Sequence, residues 1–355
     1  MRRDAWPEPL IAAPRVAGHG EPRTARRVCD LPASAPPALI TVVDTEEAFD
    51  WSAPFDPASR AVGHMAAIDR VQEIFDGLGV VPCYLVSYPI VSQEAGFRPL
   101  APYLEAGRAM VGAHLNPWVT PPHAEQVSPA NSYPGNLPRA LEAAKLRALV
   151  AQIERALDIR PTLYKAGRHG KGPGTEAVLE AQGFEIDLSP APPMDYRADG
   201  GPDYRRASPR PHWFGRQRRL LCLPGTGAFV GAAAALGPAL QPLMEHPRMA
   251  RLHPVAIASR LRLLERLRLT PEGFTLGEMM RLTRALIARG QRTFVLSFHS
   301  PSVVPGNTPY VRDDADLAAF LERLRAFLAW FGDEVHGRFV TPQALKAELE
   351  RLPPA

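Results

Sequence analysis

The 355-residue sequence predicts an α/β fold of the (β/α)-barrel type, a single domain with long loops. Three observations carry that prediction. Short apolar runs alternate with helical patterns, the rhythm of βαβ units and a mainly parallel sheet. Glycines stand just past several of the helical patterns, where a left-handed residue ends a helix. Titratable residues follow most strand-like runs at their C-terminal ends, where parallel barrels build their sites. With 46% hydrophobic and 22% charged residues, the chain can bury a large core.

The strand-like runs are 39–43, 80–86, 110–113, 162–166, 184–187, 219–223 and 293–298. Helical patterns occupy 64–78, 138–157, 173–182, 254–268, 275–289, 314–331 and 342–351, and Gly79, Gly107, Gly183 and Gly290 punctuate them. This many strands with interleaved helices fit a barrel better than an open sheet. Residues 1–37, rich in Pro, Arg and Ala and without periodicity, read as a flexible N-terminal extension, leaving 38–350 as the domain. Two long insertions break the rhythm, WVTPPHAEQVSPANSYPGNLP (118–138) and PAPPMDYRADGGPDYRRASPRPHWFG (190–215). Loops of that length inside a compact domain are usually functional.

Charge and cysteine usage narrow the function classes. The net charge is +4, much of it in the tail (Arg2, Arg3, Arg15, Arg23, Arg26, Arg27) and in two clusters, Arg216/Arg218/Arg219 and RLRLLERLRL (260–269). The last of these reads equally well as an amphipathic barrel helix with a solvated face or as a partner face. No nucleic-acid-binding motif accompanies the arginines. Cys29, Cys83 and Cys222 lack the spacing of a disulfide framework or a cysteine-rich metal site. MRRDAW carries a twin arginine with no apolar segment after it, and no stretch of about 18 apolar residues occurs. The expectation is a soluble, cytoplasmic protein without a transmembrane segment.

The residues at the strand ends are more informative. ITVV leads to Asp44 and Glu46, MVGA to His114, TLYKAG to Arg168, FEI to Asp187 and TFVLSF to His299. In a parallel barrel these five strand ends converge on one pocket. An Asp-x-Glu pair can divide labour between base and metal ligand. Added histidines complete the mixed N/O set that suits zinc or a similar divalent ion. An arginine beside the base would orient it and lower its pKa, and a second histidine could protonate a leaving group. Metal-assisted hydrolysis of an amide or ester is the reaction class these residue types suit.

Taken in order, DTEEAFDW, GAHLNPW, YKAGRHGKGP, DLS and SFHSPS resemble the polysaccharide deacetylases of the NodB-homology (carbohydrate esterase 4) superfamily, and within it the WalW-like branch. The resemblance runs over about residues 38–345. It implies a distorted (β/α)7 barrel that removes N-acetyl groups from sugars with a divalent metal, usually zinc. By position Asp44 would be the base, Glu46 and His114 metal ligands, Arg168 the residue holding the base, Asp187 a support of the pocket and His299 the general acid. Trp51, Trp118 and Tyr310 would be sugar-stacking walls, with core packing as the plain alternative for each.

One departure matters. Where the branch has a second histidine, this chain has Asn116, in His114-Leu115-Asn116-Pro117-Trp118. An amide oxygen is a poorer zinc donor than imidazole, so the metal would be weakened or absent if Asn116 does not ligate. His123 is the nearest substitute in sequence. His169 would lie at the surface or behind the site. His64, His246, His253 and His336 would be surface or capping residues, His19 falls in the tail, and His212 is a possible subsite residue. Three functions fit the sequence. The first is a metal-dependent deacetylase acting on a glycan precursor such as a lipid- or nucleotide-linked amino sugar. The second is a catalytically impaired relative that binds a glycan or a partner. The third is a glycosidase using paired carboxylates about 5 to 9 Å apart.

Overall fold

The computed structural model describes residues 27–216, 219–246 and 254–352. The expectations for residues 1–26, Arg218 and His253 lie outside the described residues. The strands, in chain order, are β1 (Arg27–Val28), β2 (Ala38–Thr45), β3 (Cys83–Val86), β4 (Met110–Leu115), β5 (Leu163–Ala166), β6 (Ile186–Asp187), β7 (His212–Phe214), β8 (Leu220–Cys222), β9 (Gly227–Val230), β10 (Glu265–Arg268), β11 (Thr293–His299) and β12 (Arg338–Phe339). The main sheet runs β1-β7-β8-β6-β5-β4-β3-β2-β11, with β12 beside the start of β2. From β8 to β11 every neighbouring pair along this path is parallel. The result is a mixed α/β fold whose sheet curls as a half-barrel.

β2 is buried along its whole length, as a central parallel strand should be. Its alternation sorts residues between two cores. Leu39 and Val43 face outward and pack with Val71, Phe75, Leu146, Leu149 and Phe320 from the surrounding helices. Ile40 and Val42 face inward with Cys83, Leu85, Leu163, Ile186 and Leu221. Leu31, Leu345 and Leu349 belong to the same inner core, so the N-terminal segment and helix Pro342–Arg351 plug it. Gly112 is what allows the curl to be this tight. A Cβ there would lie 2.5 Å from Leu85 and 2.7 Å from Leu163.

The gap between β8 and β11 is bridged by a different device. β9 and β10 form a separate antiparallel pair. The residues flanking that pair reach β11 instead: Val295 N–H donates to Thr226 Oγ1 at 2.8 Å, and Ser297 N–H to Leu269 O at 3.2 Å. The expected helix over 254–268 is therefore corrected. Only Pro254–Arg260 is helical within it, and Glu265–Arg268 is a strand. Alternating Leu and Arg satisfy a period of two as well as a helical one, and pairing with β9 decides between them.

The extension is also partly ordered. In 27–37, Leu31 is buried and the Asp30 carboxylate accepts from Arg292 N at 3.0 Å and Thr293 Oγ1 at 2.8 Å. Gly79, Gly107, Gly183 and Gly290 all take positive φ, between 66° and 80°. That is the stop conformation their spacing predicts.

Candidate active site

Register brings the polar residues together. Asp44 continues the inward row of Ile40 and Val42, and pairs across the sheet with His299 on one side and Leu85 on the other. His114 on β4 is paired with Lys165 on β5. Lys165 shares the inward face of Leu163, two residues before it, and its Nζ reaches both Asp44 oxygens, at 2.8 and 2.6 Å. Both side chains are about 95% buried. Burial alone would raise the Asp44 pKa, but Lys165, His114 and His299 outweigh it and hold the carboxyl well below the usual carboxylate range.

Across from this pair, His299 Nε2 lies 3.9 Å from Asp44 Oδ2. Its other nitrogen, Nδ1, is 2.8 Å from Glu272 Oε2. Glu272 is locked in turn: its Oε1 accepts the His299 backbone N–H at 3.1 Å and the Ser302 hydroxyl at 2.5 Å. Burial would lower the imidazole pKa, yet the Glu272 carboxylate raises it to about 9. His299 is therefore an imidazolium near neutral pH, with Nδ1–H donated to Glu272 and Nε2–H facing Asp44. Trp51 meets the His299 ring edge-on at 5.1 Å and Tyr310 at 5.6 Å, forming one aromatic wall.

The third cluster is Glu46, His114 and Asn116. Glu46 Oε2 receives the Asn116 amide N–H at 2.8 Å and lies 3.2 Å from His114 Nε2. The Asn116 Oδ1 is buried without a partner and sits over Gly167, where a Cβ would come within 2.3 Å of it. The donor set does not fit a catalytic metal centre with three protein ligands. The third position turns N–H groups, not a lone pair, toward Glu46, and Asp44 is already neutralised by Lys165. Among the described residues no three His, Cys, Asp or Glu side chains converge as a cation site. Behind Glu46, Glu47 is buried and accepts from Ser87 Oγ at 2.8 Å. Burial and the neighbouring Glu46 push its pKa up to about 8.

No family model matches the chain, and no curated protein does either. Solved structures do match. A protein of Mycobacterium smegmatis assigned to the polysaccharide deacetylases superposes with a TM-score of 0.55, at 17% identity over 92% of this chain and 96% of that one. The Puue allantoinase superposes at 0.51, with 12% identity over 90% and 91% of the two chains. The chain shares the fold of these two structures. At these identities the likeness is one of fold alone.

Within this fold the expected site residues divide. Asp44, Glu46, His114, Asn116 and His299 come together at the strand ends. Arg168 does not take the place expected of it. Lys165 is the cation on Asp44, while the Arg168 guanidinium donates to Ser132 Oγ at 2.7 Å, pairs with Asp199 and lies over the Tyr133 ring. Asp187 pairs in register with Tyr164 and Cys222, on the helix-facing side of the sheet, and bonds with Lys171 at 2.9 Å. Its link to the pocket is indirect, through Ser189 N at 2.9 Å. Trp51 packs on His299, and Tyr310 packs on Trp51 behind it. Trp118 is buried against Phe49 and Phe55, and with them lines a cavity of about 520 Å³ beside the site.

The histidines also sort. His123 is exposed and faces Lys145 and Glu125 rather than Glu46. His212 is buried in β7, between β1 and β8. His64, expected at the surface, is buried with Nε2 2.9 Å from Ser300 Oγ, the hydroxyl that also accepts Glu46 N–H. Two residues of the site were missed. Lys165 could have been found from strand alternation, which puts it on the face of Leu163. Glu272 follows a run misread as a helix and gave no signal.

Proposed function

We propose that the pocket hydrolyses an amide, removing an N-acetyl group from an amino-sugar-containing glycan or glycan precursor, with Asp44 and His299 as its acid–base pair. The observation that supports this best is the facing pair itself: Asp44 Oδ2 and His299 Nε2 lie 3.9 Å apart, each backed by its own buried counter-charge, Lys165 and Glu272. Strongly perturbed titratable groups in a cleft mark functional sites. In this reading Asp44 accepts a proton from the attacking water. The tetrahedral intermediate then collapses as the Nε2 proton of His299 passes to the sugar nitrogen, releasing acetate and a free amine. Trp51 and Tyr310 offer the sugar a stacking wall. No step is routed through zinc, because the residues do not supply the ligand set that the motif resemblance implies. Membership of the WalW-like branch, a domain spanning 38–350 and a cytoplasmic precursor as substrate belong to the same proposal.

A second reading has its own supporting observation. Lys165 occupies both oxygens of Asp44, which makes that carboxylate a weak base. A pocket tuned this way would bind a glycan or partner with little turnover. The paired-carboxylate glycosidase has less support, since the groups that face Asp44 are Lys165, His114 and His299.

Acetate release from N-acetylglucosamine oligomers and from a nucleotide-linked N-acetylglucosamine separates the two main readings. Release by the wild type, reduced at least about 100-fold in both Asp44→Asn and His299→Gln, is the expected result. Release that survives Asp44→Asn removes Asp44 as the base. Binding without release in the wild type establishes the second reading.

A further inference from the structure

Arg268, the last residue of β10, is half-buried and approaches His169, whose ring also feels the charges of Lys165 and Asp44. The next residue, Leu269, accepts from Ser297 N on β11, two residues before His299, and Glu272, four residues on, fixes the His299 ring. The neighbouring charges on this strand are matched: Arg266 pairs with Glu245 at 3.1 Å and Glu265 with Arg281 at 2.8 Å. Arg268 is not. Among the described residues its one side-chain partner is His169 Nε2, at 3.4 Å, the long limit of a hydrogen bond.

That partner is neutral. Burial lowers the His169 pKa well below its ordinary value, and Lys165 and Arg268 lower it further. His169 Nδ1 lies 3.0 Å from the Ser189 carbonyl and must donate to it, so Nε2 is left as the acceptor that Arg268 approaches. The imidazole is held firmly for this. Tyr204 Oη donates to the His169 carbonyl at 2.7 Å, and Tyr196 stacks on the ring at 5.7 Å, both from the 190–215 insertion. Arg168 and His169 are consecutive non-glycine residues at φ 53° and 60°. A backbone held in that conformation by its surroundings is typical of ligand sites.

A half-buried guanidinium aimed by a neutral acceptor, with no carboxylate paired to it among the described residues, offers a positive charge and a planar fork of donors. We propose that Arg268 is an anion-recognition residue, taking a phosphate or diphosphate group on the glycan precursor whose sugar enters the pocket. The inference rests on the proposed substrate class but not on the chemical step. A nucleotide-linked and a lipid-linked sugar share this phosphate chemistry, and a binding comparison distinguishes them.

The test is calorimetric binding to the full chain, independent of turnover. The ligands are uridine-diphosphate-N-acetylglucosamine, a short-chain prenyl-diphosphate-N-acetylglucosamine, N-acetylglucosamine-1-phosphate and a neutral N-acetylglucosamine tetramer. At least one phosphorylated ligand is expected to bind about tenfold or more tightly than the neutral one, with an affinity that falls as salt rises. Arg268→Gln should abolish that preference and leave the neutral ligand unaffected. Arg268→Lys, which keeps the charge but loses the fork, should retain part of it. The exposed Arg312→Gln should change nothing. Whichever of the nucleotide- and prenyl-linked ligands binds more tightly identifies the source of the phosphate. A preference unchanged in Arg268→Gln overturns the proposal, as does an equal loss for neutral and phosphorylated ligands, the signature of a structural role through His169. Phosphate-dependent binding without acetate release leaves the anion site standing and removes the hydrolase reading instead.

Discussion

At the scale of single residues, the site is governed by which partner each charge has. Asp44 and Lys165 are both buried, so removing Lys165 strips Asp44 of the only cation hydrogen-bonded to it among the described residues, leaving the His299 imidazolium at 3.9 Å. Lys165→Met should destabilise the protein by about 3–5 kcal/mol, measured by urea unfolding, whereas the exposed pair Arg98–Glu94 should contribute under about 1 kcal/mol. A Lys165→Met variant as stable as the wild type would show that the pair does not hold Asp44. Asn116 offers the complementary experiment. Its amide reaches Glu46 Oε2 at 2.8 Å, beside His114, so Asn116→His should add the third donor that the set lacks. Zinc titrated calorimetrically should bind at one equivalent and far more tightly than to the wild type. Equal affinities would mean that position 116 does not face a metal. Most of this site was legible in the sequence because strand ends announce themselves: an apolar run stops at a carboxylate or an imidazole. The exceptions have physical reasons. Arg168 sits at the end of its run but in a left-handed turn that carries it away to Asp199, while Lys165, inside the run, has the parity that points inward.

At the scale of elements, helices with strong caps and strands within apolar runs were readable, β6 and β8 among them, while the short strands β1, β7, β9, β10 and β12 were not. Helix Leu276–Ala288 starts with a capping box in which Thr275 and Glu278 satisfy each other's backbone N–H groups. β9 and β10 exist only because each pairs with the other, and nothing in RLRLLERLRL distinguishes a four-residue strand from a helical face. The inner curvature of the sheet depends on Gly112, so Gly112→Ala is a test of the half-barrel itself. Its methyl group would press on Leu85 and on both the side chain and carbonyl of Leu163. The expected cost is about 1–3 kcal/mol by overpacking, against about 1 kcal/mol for Thr275→Ala, which only loses a cap. Both are read by chemical denaturation. A neutral Gly112→Ala would mean that the strands can spread, and that the pocket geometry built on their register is softer than the packing implies.

At the scale of the whole molecule, the buried titratable groups set a pH profile of stability whose shape can be worked out by sign. Asp44 and Glu46 are held below their ordinary range, so their contribution is present above about pH 4.5 and is lost as pH falls. Glu47 and Glu142 are raised from 4.5 to about 8 and about 7, so their contribution is lost progressively as pH climbs from about 4.5 to those values. His64, lowered from 6.5 to about 4, and His169, lowered well below 6.5, act oppositely: stability rises with pH until the unfolded imidazole is neutral. Between about 4.5 and 6.5 two groups of each sign oppose one another. Above 6.5 the two histidines have nothing more to add. Glu47 then loses its proton, and His299, raised from 6.5 to about 9, loses the attraction of Glu272. The melting temperature should therefore form a plateau from about pH 4.5 to 6.5 and decline from there to about pH 9. Glu47→Gln should remove the part of that decline that ends near pH 8, and His299→Gln the part that continues to about 9, with scanning fluorimetry across pH as the measurement. A melting temperature that rises between pH 6.5 and 9 would contradict a charged His299, and with it the general acid on which the proposed hydrolysis depends.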